Sequence, residues 1–331
     1  MCQALTDGAD LHSFVGGPFD VRAVVAAIQP EVKDGFLLDK APWENFPKGD
    51  HLREAIHLLH TSGSPVRTAT GVVSGMCAND MRAAALAVPF LIRIATDPRH
   101  PYRADALAEV SSPARARYFG VASRDELLLH RAEPQYDDLY GDYGVEVTGY
   151  PAGWSVAAAR SAITADIALL KPLLHDPDPA IRIRAAYALA AATDLDGTVR
   201  AAFRTRLDTE QDPIVQAALV FTTAEATRSH PHPPTPVWMR ERWRDRTQVS
   251  EARLAAAIGW LCLTDGAIPD DLRAAVEDLA TDERAHAMDD LPWMAAAGGS
   301  GETGVQRCVR EMLHPERPEP VEHDDLWPPR S

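Results

Sequence analysis

Between Tyr118 and Trp154 the chain interleaves Tyr118, Tyr136, Tyr140, Tyr143, Tyr150 and Trp154 with the carboxylates of Glu133, Asp137, Asp138, Asp142 and Glu146. Tyrosine is otherwise rare, so the clustering of phenols with carboxylates marks a place where chemistry could happen. Tyrosines offer a large contact area at little entropic cost, and carboxylates attract cations or move protons. The run Asp137-Asp138-Leu139-Tyr140-Gly141-Asp142 has the paired carboxylates that bind Mg²⁺ elsewhere. Gly141 and the nearby Pro134 read as a loop, however, and no second ligand motif accompanies it, since Asn79-Asp80 runs on into Met81-Arg82-Ala83. A loop of this kind suits recognition better than metal binding, and its candidate contacts are Tyr136, Asp137, Asp138, Tyr140, Asp142, Tyr143 and Trp154.

A second constellation is Trp238 and Trp243 among Arg240, Glu241, Arg242, Arg244, Asp245 and Arg246, the most basic and aromatic helix in the sequence. Indole and guanidinium groups stack on bases or on a partner's side chains, so both tryptophans are candidate contacts. Glu54, His57 and His60 fall at i, i+3 and i+6 on one helix face, a spacing able to offer metal ligands, but no second ligand set accompanies them. The glycines from Gly298 to Gly304 lack the Lys-Ser/Thr ending and the preceding strand of a phosphate loop. No Gly-x-Ser-x-Gly elbow and no cysteine with a local motif points to a covalent nucleophile. Neither metal nor cofactor is expected, and no residue is assigned a catalytic role.

The elements that must position these residues follow from composition and spacing. With 331 residues, 46% hydrophobic and 24% charged, the chain has material for a full core. Its net charge of −15 argues against nucleic acid as a partner, because affinity for phosphates comes from clustered cations. Only Lys33, Lys40, Lys48 and Lys171 are lysines among 33 basic residues, and alanine is abundant. That bias resembles GC-rich bacterial coding, which makes the arginines poor evidence for phosphate binding. Cys2, Cys77, Cys262 and Cys308 are too scattered for a zinc or redox pair, and reduced, mostly buried thiols are expected. No apolar run approaches the roughly 18 residues that span a bilayer, and the first residues lack a basic region followed by an apolar one. A cytoplasmic protein without a membrane partner is the expectation.

A weak repeat organises the rest. Arg67, Arg103, Arg182, Gln216 and Arg253 each stand near the start of an Ala-rich amphipathic stretch, at intervals of 36, 79, 34 and 37 residues. One period in the mid-thirties fits stacked helix pairs, with the long gap holding two periods and a few residues more. The clearest unit expects a helix over 155–174, a tight Asp176-Pro177-Asp178-Pro179 turn, and a helix over 181–192. In the next, helices over 197–207 and 213–227 are expected. Further helices are read at 50–61, 65–77, 81–95, 102–110, 237–246, 250–263, 269–279, 284–297 and 304–313, with Pro89 expected to kink or end the 81–95 helix.

The run Asp178-Pro179-Ala180-Ile181-Arg182-Ile183-Arg184-Ala185-Ala186-Tyr187-Ala188-Leu189-Ala190 resembles the second helix of a HEAT repeat. The resemblance implies an all-α, right-handed α-solenoid of antiparallel helix pairs. Residues 1–49 are then an irregular N-terminal cap, 50–115 HEAT-like repeats, 116–154 the Tyr/Asp-rich insertion within the same domain, 155–314 further repeats, and 315–331 a Pro-rich acidic tail. It implies a shape rather than an activity. The expected role is a binding scaffold for a basic protein or peptide, or a cationic small molecule, met by the concave face and the insertion. Two alternatives stay open: a bacterial secondary-metabolism enzyme with an acid/base site in the groove, and a HEAT-like DNA glycosylase or lesion-binding protein.

Overall fold

The computed structural model describes residues 20–46, 49–61, 81–115, 122–128, 152–193, 197–299 and 301–315, apart from the side chains at 81, 82 and 152–154. All regular structure among these residues is helical, save one isolated bridge between Gly299 and Glu302. They form two compact units. The first holds the described residues up to Arg115 and from 152 to Asp208; the second holds 122–128 and all described residues from Thr209 onward.

In the first unit, α1 (Val21–Ala26), α2 (Pro30–Asp34) and two 3₁₀ turns (Leu38–Lys40 and Trp43–Asn45) precede α3 (Gly49–Thr61), α4 (Met81–Thr96) and α5 (Arg103–Ser111). After these come α6 (Ala152–Ala165), α7 (Ile167–Leu170), a 3₁₀ turn (Lys171–His175), α8 (Pro179–Ala190) and α9 (Thr198–Leu207). Helix α4 is apolar on every side and is the centre of the unit, with α1, α3, α5 and α6 packed on it. It runs through Pro89 where the sequence suggested a kink or an end, and Arg93 Nη1 donates to the Pro89 carbonyl at 3.1 Å. The single long helix expected over 155–174 is instead broken at Asp166. That residue leaves helical geometry, and its buried carboxylate accepts from Arg93 of α4.

Helix α8 follows its sequence closely. The Asp178 carboxylate accepts from the Ala180 amide at 2.8 Å, Pro179 occupies the first turn, and Ile181, Ala185, Ala186 and Leu189 are buried.

The second unit runs α10 (Pro213–Ser229), α11 (Pro234–Arg244), α12 (Ser250–Leu263), α13 (Asp270–Leu279), α14 (Asp282–Ala287), α15 (Pro292–Ala297) and α16 (Gly304–Leu313). Its most extensive packing is α10 on α12, two helices buried nearly all round. A Cβ added at Gly259 of α12 would lie 3.1 Å from the Ala224 Cβ of α10, so this glycine permits the close crossing. The helix expected over 284–297 is two short ones, because Pro292 starts a new helix rather than continuing the old. Trp293 of α15 is tied to the core by its indole N–H, which donates to the buried Glu225 carboxylate at 2.6 Å.

Cys262 and Cys308 are free and buried, and burial pushes the Cys262 thiol up to about 12 and Cys308 well above its usual range. Thiolate is the reactive form, so neither should be labelled by Ellman's reagent in the folded protein. In Cys2→Ser/Cys77→Ser protein, which leaves only these two thiols, the expected result is labelling of both at the rate at which the second unit opens; fast labelling in native buffer would show that they are not sealed.

The periodic side chains share one structural task. Arg103 Nε donates to the Ala95 carbonyl at 3.0 Å, Arg182 Nη1 to the Asp176 and Pro177 carbonyls at 2.9 and 3.0 Å, Gln216 Nε2 to the Glu210 carbonyl at 2.8 Å, and Arg253 Nε to the Trp243 carbonyl at 3.2 Å. Each reaches back to a carbonyl at the end of the preceding helix or in the turn between. Arg67 lies outside the described residues.

Candidate functional site

Of the candidate contacts, Tyr136, Asp137, Asp138, Tyr140, Asp142 and Tyr143 lie outside the described residues, and Trp154 sits in the first turn of α6 with its side chain undescribed. Trp238 and Trp243 separate from each other on α11. Trp238 is half-buried beneath the Arg242 guanidinium, 4.9 Å from the ring centroid. Trp243 is only 3% exposed and packs in the core, with Arg244 at 5.0 Å from its ring and its indole N–H without an acceptor. Thr235, Met239 and Trp243 form the buried stripe at i, i+4 and i+8, a spacing that could have distinguished the two tryptophans from sequence. Arg242 donates to Gln248 Oε1 at 2.8 Å, and Arg240, Arg244 and Arg246 are exposed, with Arg244 paired to Asp271.

Glu54, His57 and His60 are exposed on α3, and no group of three His, Cys, Asp or Glu among the described residues could hold a metal ion. His60 stacks on Phe36 with ring centroids 3.7 Å apart, and Phe36 holds a left-handed backbone at φ 50°. His100 closes the neighbouring helix end, with Nε2 2.8 Å from the Leu59 carbonyl and Nδ1 accepting from the Tyr102 amide at 3.2 Å. Burial first, then the His100 and His57 imidazoles, lower the His60 pKa against an opposing pull from Asp97. Above the ordinary histidine value of about 6.5 the group is neutral whether folded or unfolded and adds no pH dependence. Below it the unfolded chain takes up a proton first, so stability should fall from about pH 6.5 down through the lower folded value. Asp97, held at about 2 by Arg99, titrates well below this window. His60→Phe, which retains a ring against Phe36, should flatten the stability slope between about pH 7 and 5. An unchanged slope would assign it to other groups.

Arginine works mainly at helix ends. The last carbonyls of a helix have no partner within it and carry the negative end of its dipole, so a guanidinium there satisfies both needs. Arg273 donates to the Leu313 carbonyl at the end of α16, Arg284 to Leu279 at the end of α13, and Arg115 to Tyr187 near the end of α8. The densest case is the C-terminal end of α12. There Arg124 donates through Nε to the Leu261 carbonyl at 3.1 Å, through Nη1 to Gly266 at 3.0 Å, and through Nη2 to Thr264. Arg228 of α10 reaches the Cys262 carbonyl beside it, and its other nitrogen donates to the Asp125 carbonyl at 3.1 Å. Ala122, Leu127 and Leu128, on either side of Arg124, are buried. Nothing in the local pattern around Arg124 predicts this, because its partners are some 140 residues away.

Carboxylates show the opposite disposition. Between Asp265 and Asp290 stand nine of them against two arginines, Arg273 and Arg284, both turned inward onto helix ends. Asp265, Asp270, Asp271, Glu277, Asp278, Asp282, Glu283 and Asp290 are exposed. The first unit carries an open groove of about 680 Å³ between the Lys171–His175 turn and α9, where Lys171, His175, Thr198 and Thr205 surround an alanine floor. No protein-family model, curated protein or solved structure matches this chain.

Proposed function

We propose that this chain is a binding scaffold built from HEAT-like helix pairs, whose ligand is a basic protein or peptide or a cationic small molecule. The repeat reading is supported by the side chains at 103, 182, 216 and 253, each tying a helix to the turn or helix before it. The ligand class is supported by one observation above the rest: from Asp265 to Asp290 eight carboxylates are exposed while Arg273 and Arg284 are turned onto helix-end carbonyls. That stretch adds a local negative field to the net charge of −15, which steers cations to it and repels phosphate chains. The Tyr/Asp-rich stretch from 116 to 154 adds acidic and aromatic character of the same kind.

The test uses the full chain and two fluorescent probes, octa-lysine and octa-glutamate, read by anisotropy. Octa-lysine should bind and octa-glutamate should not, with affinity dropping by about tenfold or more between roughly 50 and 300 mM salt. The triple replacement Asp270→Lys, Asp278→Lys and Glu283→Lys should weaken binding of octa-lysine, as should deletion of residues 133–148. Equal binding of the two probes, or no binding of octa-lysine at low salt, would overturn the reading.

A further inference from the structure

We infer that the C-terminal end of α12 is a guanidinium-binding cup for an arginine-bearing peptide, and that residues 122–128 of this chain occupy it as an internal ligand. The inference deepens the proposed function, since it names the cationic group, a single guanidinium, that such a scaffold takes, and it rests on that reading. Three observations carry it. First, the described residues 122–128 belong to the second unit although the described chain on both sides, up to Arg115 and from 152, belongs to the first. The segment is therefore seated by its own contacts and not by continuity with its neighbours.

Second, the seat is chemically specific. A planar guanidinium has donors in a fixed fork, and here Nε, Nη1 and Nη2 each meet a different carbonyl, of Leu261, Gly266 and Thr264. An ammonium is a point donor on a flexible stem and cannot span the three. The carbonyls also carry the negative end of the α12 dipole, which favours a cation whatever chain supplies it. Third, apolar burial accompanies the fork: Leu127 and Leu128, three and four positions beyond the arginine, are 6% and 2% exposed. A partner presenting Arg-x-x-Leu-Leu would reproduce both the fork and the apolar contacts. The internal segment would compete with it, lowering the apparent affinity by the fraction of time that the cup is filled.

The probe is a fluorescein-labelled synthetic peptide VASRDELLL, the sequence of residues 121–129, beside the same peptide with citrulline for arginine. Citrulline keeps the shape and removes the charge. Arg124→Ala in the full chain empties the fork, and this variant should bind the arginine peptide at least about tenfold more tightly than the native chain does. The citrulline peptide should bind neither protein measurably, and the arginine peptide should raise the melting temperature of Arg124→Ala toward the native value. Arg124→Lys, which keeps a cation in place, gives a second variant should the alanine protein fail to fold; it should bind the peptide with intermediate affinity. Equal binding by the native chain and both variants, binding that ignores citrulline, or no binding to either variant would overturn the inference. Octa-lysine binding separates the two proposals: if it persists while the arginine peptide fails, the cup is wrong and the acidic scaffold stands.

Discussion

Gly304→Ala is expected to destabilise the second unit by about 2–3 kcal/mol, the upper part of the range for overpacking, because the obstacle is backbone that cannot move freely. A Cβ at this position would lie 2.1 Å from the Met294 carbonyl oxygen and 2.6 Å from the Met294 Cα. The obstacle is main chain of α15, not the tip of a flexible side chain, so relief requires α15 and α16 to separate. Separation would disturb two further contacts. The Gly304 amide donates to Asp289 Oδ1 at 3.1 Å, and α16 opens on a reciprocal Thr303–Gln306 capping box. A matched control lies in the same loop: a Cβ at Gly298 would meet its nearest atom at 3.4 Å, an ordinary contact, so Gly298→Ala should be nearly neutral. Urea unfolding followed by tryptophan emission reads the difference, because Trp293 sits buried one residue before Met294. Equal midpoints for the two variants would mean that the α15–α16 approach is not a tight constraint.

The sequence carried the local part of this fold. Asp178 and Asp212 cap the helices that follow them, as their Asp-Pro pairs imply, and α12 begins and ends at the residues expected from its apolar spacing. The recurring Arg and Gln were visible in the sequence, and those at 103, 182, 216 and 253 share a hydrogen-bonding role in the structure. What the sequence hid depends on partners far along the chain. Asp166 interrupts the 155–174 helix because its carboxylate meets Arg93, 73 residues earlier, and no window around Asp166 contains that information. Pro89 misled in the other direction, since a helix packed on several sides continues through a proline that would end an isolated one. At the candidate site, helical spacing alone could have placed Trp243 inside and Trp238 at the surface. Arg124 had no such signal: it reads as one arginine in an irregular stretch, and only its distant carbonyl partners reveal its seat.

Arg124→Ala should cost the second unit about 2 kcal/mol, between the value of a single charged hydrogen bond and the sum of several, because water can replace part of what is lost at a half-exposed helix end. The carbonyls matter more here than the arginine. Removing the side chain leaves Leu261, Thr264 and Gly266 to find other donors, and the last turn of α12 loses the cation that offsets its dipole. Arg228 remains on the Cys262 carbonyl, so the turn should fray rather than melt. This makes Cys262 the reporter. Its thiol lies in the frayed turn and is raised to about 12 chiefly by burial, so alkylation by iodoacetamide should accelerate in Arg124→Ala by more than it does at Cys308, which is on α16. Arg228→Ala should act on the same turn, and the double variant should depart from additivity, since each arginine supports the end that the other caps. If Cys262 and Cys308 accelerate equally, the loss is global and Arg124 contributes stability without holding that turn. If neither accelerates, the three carbonyls are satisfied by solvent, and the guanidinium fork does not govern the end of α12.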